Sequence, residues 1–208
     1  MAPNNNEHRP SIILASASPR RKSLLKQAGI PFEVYVSGLD ESRFPWTEPV
    51  DFTRTLARAK AAAVADLFPE SWTIGADTIV EADGELLAKP ASRNEARDML
   101  TRLSGVVHRV YTGVAVICRS RDHCHTEVAQ TDVIFKSLSA VEIEWYIHTE
   151  EPYDKAGGYA IQGLGTVLVK EVHGSYTNVV GLPVCEVVDH LWRQGAISRS
   201  AQAKEEDR

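Results

Sequence analysis

The chain is poor in the features that mark several large protein classes. It has three cysteines, Cys118, Cys124 and Cys185, none in C-x-x-C spacing. They cannot all pair with one another, and a reduced compartment, the cytoplasm, is the simplest reading. No apolar run approaches the roughly 20 residues of a membrane span, and Met1 to Pro10 is polar with no signal-peptide core. A basic excess is also missing: 23 Lys and Arg stand against 28 Asp and Glu, for a formal charge of −5. Broad nucleic-acid binding is therefore not expected, and any anion site must be a local cluster of cations. What the chain does have is 208 residues, 43% of them hydrophobic. That is enough for one or two compact domains with a proper core.

The most informative segment is Ser16-Ala17-Ser18-Pro19-Arg20-Arg21, directly after the apolar run Ile12-Ile13-Leu14. It has neither the Gly-Lys-Ser/Thr of a P-loop nor the glycines of a dinucleotide fingerprint. It reads as a strand turning into a helix, with Ser18 as N-cap, Pro19 at the first helical position and a stop near Gly29. A helix start favours anions, yet two arginines stand in this first turn. They suit either a polyphosphate clamp or an ordinary solvated face.

Strand and helix signals alternate along the chain. Phe32 to Val36 and Thr73 to Val80 read as strands, the first half-buried; Asp51 to Phe68 reads as an amphipathic helix. Asp83-Gly84 predicts a tight hairpin turn into Glu85-Leu86-Leu87. Ser92-x-x-Glu95 and Ser139-x-x-Glu142 predict capping boxes opening two helices. His108 to Cys118, Thr126 to Phe135 and Thr166 to Val172 read as further strands, and the last helix runs from Pro183 to Trp192. The expected fold class is α/β (mixed): one mixed, twisted sheet with flanking helices, room for two lobes around a cleft, and no internal repeat. The expected organisation is a flexible N-terminus over 1–10, one domain over 11–195 and a disordered tail over 196–208.

Asp77 lies in the strand-like run Ile74-Gly75-Ala76-Asp77-Thr78-Ile79-Val80, where a carboxylate is out of place. Gly75 and Ala76 leave room for a ligand or another backbone to come close. Asp77 is a candidate metal ligand, general base or both, against a turn-capping alternative. Lys60 and Lys89 read alone as surface lysines, and Asp40 and Glu41 as either metal-facing acids or a solvated loop. His123-Cys124-His125 looks like a metal tract but falls in a polar turn. The stretch Tyr153 to Gly165 holds four glycines around Gln162, whose amide can read a base edge, or it is a plain connector. Gly174 to Pro183 leads into a helix and is another candidate anion-facing element.

Together these segments resemble the Maf proteins, a family of nucleoside triphosphate pyrophosphatases. The resemblance rests on LASASPRR at 14–21, ARAKA at 57–61, GADTIV at 75–80, LAKP at 87–90, DKAGGYAIQGLG at 154–165 and GSYTNVVGLP at 174–183, and it covers about Ser11 to Trp192. It implies a deep cleft in a fold similar to the inosine triphosphatase type. The implied reaction is hydrolysis between the α- and β-phosphates, needing a divalent metal, Mg or Mn. By resemblance, Asp77 is the catalytic base and, with Glu41, holds the metal. Ser16, Arg21, Lys60 and Lys89 contact phosphate. Arg20, Thr78 and Gln162 set substrate choice, in a combination similar to the branch acting on dTTP and UTP rather than 7-methyl-GTP. Ala88 departs from the pattern, since an acid or glycine often precedes the Lys-Pro. A homodimer suits a chain of this size and family. The other function class that the family name admits is a non-catalytic nucleotide-binding regulator of septum formation.

Overall fold

Several helices begin at a serine side-chain cap. In the computed structural model, which describes residues 12–198, strand β1 (Ile12–Leu14) leads into helix α1 (Pro19–Gln27), with Ser18 Oγ accepting from the Arg21 amide. The chain continues through β2 (Glu33–Val34), α2 (Pro49–Ala65), β3 (Trp72–Ala82), β4 (Glu85–Leu87), α3 (Arg93–Leu103), β5 (Val107–Cys118), β6 (His123–Phe135), α4 (Ala140–Ile147), β7 (Val169–His173), α5 (Tyr176–Val180) and α6 (Val184–Arg193). The β3–β4 hairpin turns at Asp83 and Gly84, both in the left-handed region at φ 53° and 78°. The capping box at Ser139 and Glu142 is complete. At Ser92 only half forms, because the Glu95 carboxylate accepts from the Ala91 amide instead.

The seven strands form one mixed sheet in the order β2-β1-β3-β5-β6-β7, with β4 pairing β3. β1 runs parallel to β2 and β3, and the other pairs are antiparallel. Two strands are shorter than their patterns predict. Residues 32–36 pair only at Glu33 and Val34, both exposed on the sheet edge. Of 166–172, the first part forms a 3-10 turn over Gly163–Val167, and β7 starts at Val169. Ala196 is buried in the core with Ile197 packed against the same cluster, so the ordered packing reaches beyond 195. The rest of the expected tail, 199–208, and the expected flexible N-terminus lie outside the described residues.

Helix α2 lies on one sheet face, pressed close by glycine. A Cβ at Gly75 would stand 2.3 Å from the Ala57 carbonyl oxygen, and one at Gly113 would stand 2.3 Å from that of Thr53. The space that Gly75 leaves is therefore taken by a backbone, that of α2. Gly75→Ala is expected to cost about 1–3 kcal/mol, read as a lower denaturant midpoint at unchanged slope, because neither backbone can yield cheaply.

On the opposite face two apolar clusters sit side by side. One joins β1, β3 and β5 to α1 and α6 through Leu14, Leu25, Trp72, Val116 and Leu191. The other joins the far ends of β3, β5 and β6 to α3 and α4 through Val80, Leu100, Phe135 and Ile147. Between them runs a polar belt of Thr78, Thr112, Asn178 and Thr131. Asn178 donates to the Val110 carbonyl at 3.1 Å and to Thr131 at 2.8 Å.

His108, inside the second cluster, is 1% exposed and shares a 2.7 Å hydrogen bond with the Tyr159 hydroxyl. Burial pushes its pKa down to about 4. An unfolded imidazole takes a proton near pH 6.5, while the folded one resists until about 4. Stability is therefore full above 6.5 and falls as pH drops through that window, by up to about 3 kcal/mol from this group. Thermal unfolding at pH 7 and pH 4.5 should show the loss, and His108→Asn should flatten that part of the slope.

Candidate active site

β1 stops pairing with β3 at Ile74, and β4 pairs with β3 only from Val80 onward. Between them the β3 edge from Gly75 to Ile79 has no strand beside it. Successive side chains there point to opposite faces, so Asp77 emerges toward α2 and Thr78 toward α1 and α5. A cleft of about 590 Å³ opens at this gap, within the range of small-molecule sites. It lies past the carboxyl ends of β1 and β2, a favoured ligand position in sheets of this kind. Every predicted site residue lines it: Ser16, Arg20, Arg21, Glu41, Lys60, Asp77, Thr78, Lys89 and Gln162.

The first constellation centres on Lys60. Because α2 sits so close to β3, its ammonium reaches Asp77 Oδ1 at 2.7 Å and Glu41 Oε1 at 2.8 Å. The Lys60 and Asp77 side chains are 11% and 10% exposed, while that of Glu41, from the 3-10 turn Glu41–Arg43, is 55% exposed. Lys60 is thus not the surface lysine that its helix position alone suggests. Lys89 lies across the cleft, exposed and without an ion pair among the described residues. The neighbouring Ala88 carbonyl accepts from the Gly157 amide at 3.1 Å, fastening this rim of the cleft.

The second constellation centres on Arg21. Its guanidinium donates to the Gly181 carbonyl at 2.7 Å, to Ser16 Oγ at 3.1 Å and to Thr78 Oγ1 at 3.0 Å. Burial lowers its pKa, offset in part by the Asp77 carboxylate. Thr78 shares a 2.9 Å hydrogen bond with Thr112, whose hydroxyl donates to the Asn178 carbonyl at 3.1 Å. Arg21 therefore anchors a chain of hydroxyls running into the polar belt. The Gly174–Pro183 segment contributes a carbonyl to this group. That carbonyl braces a cation, while the Gly181, Leu182 and Val184 amides are already donated to Thr177 and Asn178.

Arg20 points elsewhere. It donates to Asp154 Oδ2 at 2.9 Å, and Asp154 also pairs with Lys155. Both partners line the cleft mouth. Their motif is visible in the sequence, but nothing in residue type or spacing links positions 134 apart. Tyr159, also lining the cleft and backed by His108, was equally silent in sequence.

Two carboxylates converging on one ammonium suit a divalent ion held partly by substrate phosphates, since Mg²⁺ commonly uses one or two carboxylates. They do not make a protein cage. Among the described residues no group of three or more His, Cys, Asp or Glu is arranged to hold a metal alone. That includes His123 and His125, which pack on His190 at ring distances of 5.0 and 4.0 Å. All three cysteines are free thiols, and no helix among the described residues is long and apolar enough to cross a membrane.

Comparison with known proteins agrees with this architecture. The family model described as Maf-like protein matches residues 11–194. A dTTP/UTP pyrophosphatase of Syntrophus aciditrophicus is 48% identical over 189 residues, covering 91% of this chain and 92% of the relative. One from Citrifermentans bemidjiense is 51% identical, covering 90% and 97%. One from Bacillus cereus is 46% identical, covering 89% and 90%. With its mixed sheet, its cleft and this match over nearly its whole length, the chain belongs to the Maf family.

Proposed function

We propose that this protein hydrolyses nucleoside triphosphates, dTTP and UTP foremost, between the α- and β-phosphates, releasing the monophosphate and pyrophosphate. The observation that carries this reading is one cleft holding an Asp77–Lys60–Glu41 cluster, an anchored Arg21 and a Lys89 with no ion pair among the described residues. Substrate carries several negative charges, so pre-placed cations offset both the bound phosphates and the charge that builds on the leaving pyrophosphate. Arg21 and Ser16 hold phosphate at the start of α1, and Lys60 and Lys89 reach it from the other walls. Asp77 accepts the proton of the attacking water. Arg20, Thr78 and Gln162 select the base. The names of the relatives support the same substrates.

Asp77 and Glu41 are the residues that would hold a divalent ion, Mg²⁺ or Mn²⁺. Such an ion, when bound, polarises phosphate oxygens. A water-activating carboxylate among cations favours an enzyme over a silent nucleotide-binding regulator, which has no use for one. The test is pyrophosphate release with Mg²⁺ or Mn²⁺ across dTTP, UTP, 5-methyl-UTP, pseudo-UTP and the purine triphosphates. Turnover led by the uracil- and thymine-type nucleotides is expected. Binding without turnover of any nucleotide would favour the regulator.

A further inference from the structure

Gln162 lines the cleft from a glycine-rich loop, and glycine gives that loop no stiffness of its own. Its stiffness comes from two residues outside the cleft. Glu151 follows α4, and its carboxylate accepts from the Leu164 amide at 2.9 Å and the Gly165 amide at 2.8 Å. The same carboxylate accepts from the Tyr146 hydroxyl at 2.7 Å. That hydroxyl, fully buried, in turn accepts from the Ala160 amide at 3.1 Å. Three amides are thereby tied, one before Gln162 and two after it.

The glycines make this approach feasible. A Cβ at Gly163, which sits at φ +69°, would meet Glu151 Oε1 at 2.1 Å. One at Gly165 would meet the Ala160 carbonyl at 2.2 Å and the Tyr146 hydroxyl at 2.7 Å. The loop's composition thus follows from the carboxylate beneath it. Burial first, and then the bond to Glu151, raises the Tyr146 pKa well above the usual phenol range, so the hydroxyl keeps its proton and remains a donor. Glu151 also reaches the other side of the cleft mouth. Its backbone carbonyl accepts from Lys155 at 2.7 Å, and Lys155 pairs with Asp154, the partner of Arg20.

We infer that Glu151 and Tyr146 are positioning residues for base selection: together they hold the backbone on both sides of Gln162, and so fix the point from which its side chain reaches into the cleft. The inference rests on the pyrophosphatase reading above. The physical reason is that a glutamine amide carries a donor and an acceptor side by side and can turn over to suit either edge of a pyrimidine. Thymine and uracil present a carbonyl where cytosine presents an amino group. Discrimination between them by Gln162 requires that its amide meet the base edge at a set place, and a pinned backbone fixes where that side chain starts.

The test is steady-state pyrophosphate release by the full chain with dTTP and dCTP, for wild type, Glu151→Gln, Tyr146→Phe, Gln162→Ala and the Glu151→Gln/Gln162→Ala pair. Wild-type release from dTTP checks the underlying reaction, and its absence would overturn that reading and this inference with it. Given that release, Glu151→Gln and Tyr146→Phe should each raise the dTTP KM about tenfold, with kcat within about threefold. Each should also lower the dTTP-over-dCTP preference about tenfold. Glu151→Gln should add nothing on top of Gln162→Ala, because it acts through that side chain. Thermal unfolding runs alongside, and Tyr146→Phe, which keeps the core-filling ring, stands in if Glu151→Gln does not fold. Lower melting temperatures with an unchanged nucleotide preference would overturn the inference, and so would additive effects in the pair.

Discussion

Asp77→Asn is expected to lower kcat for pyrophosphate release from dTTP about a thousandfold, within the range for loss of a positioned general base. The amide keeps the shape and a hydrogen bond to its surroundings but cannot take the proton of water. It also removes one of the two carboxylates suited to a divalent ion. Folding should survive, because Lys60 keeps Glu41 as a partner at 2.8 Å and the β3–β5 ladder through Gly113 uses only backbone groups. The measurement is kcat with saturating dTTP and Mg²⁺, with circular dichroism to show a native variant. A native variant that turns over at the wild-type rate would remove Asp77 from the chemistry.

Lys60→Met is the other substitution with a large expected effect. Methionine keeps most of the buried stem but drops the ammonium that stands between Asp77 and Glu41. Two carboxylates then face each other with no cation between them, and the leaving pyrophosphate loses a preplaced positive charge. A hundredfold fall in kcat is expected, on the order of removing one stabilising donor. Stability should fall by about 3 kcal/mol, the low end for breaking a buried pair, because Glu41 is half open to water. Kinetics and urea unfolding on the same preparation separate the two losses. Unchanged kcat in the folded variant would show that Lys60 serves structure alone.

What the sequence makes legible here is local. The start of α1 at Ser18 and Pro19, the Asp83-Gly84 turn and the cap at Ser139 depend on neighbours within a few residues, and each forms as the residue types demand. The overreach at 166–172 has a tertiary origin. Those residues have strand character, but the preceding loop is drawn into a 3-10 turn by Glu151 and by Thr166 donating to the Ile161 carbonyl. The shortened β2 likewise reflects position, since a sheet edge offers a partner on one side only.

The site divides in the same way. The family resemblance marked nine residues, and all nine line one cleft. Residue types alone left Lys60 on the surface and Gly75 open to either a ligand or a backbone. The answer lay in how closely α2 packs on β3, which depends on pairs far apart in sequence. The two adjacent arginines read alike as cations. Only the fold gives Arg21 to Ser16, Thr78 and Gly181, and Arg20 to Asp154. Glu151 and Tyr146 carry no catalytic signature at all, because what they do is hold amides of another segment.

The most direct test of the central claim is phosphorus NMR of the products formed from dTTP by the wild-type chain with Mg²⁺, repeated with Asp77→Asn. Equal amounts of dTMP and pyrophosphate, formed by the wild type and nearly abolished in the variant, are predicted. Orthophosphate with dTDP, or the same products at the same rate from Asp77→Asn, would contradict the account.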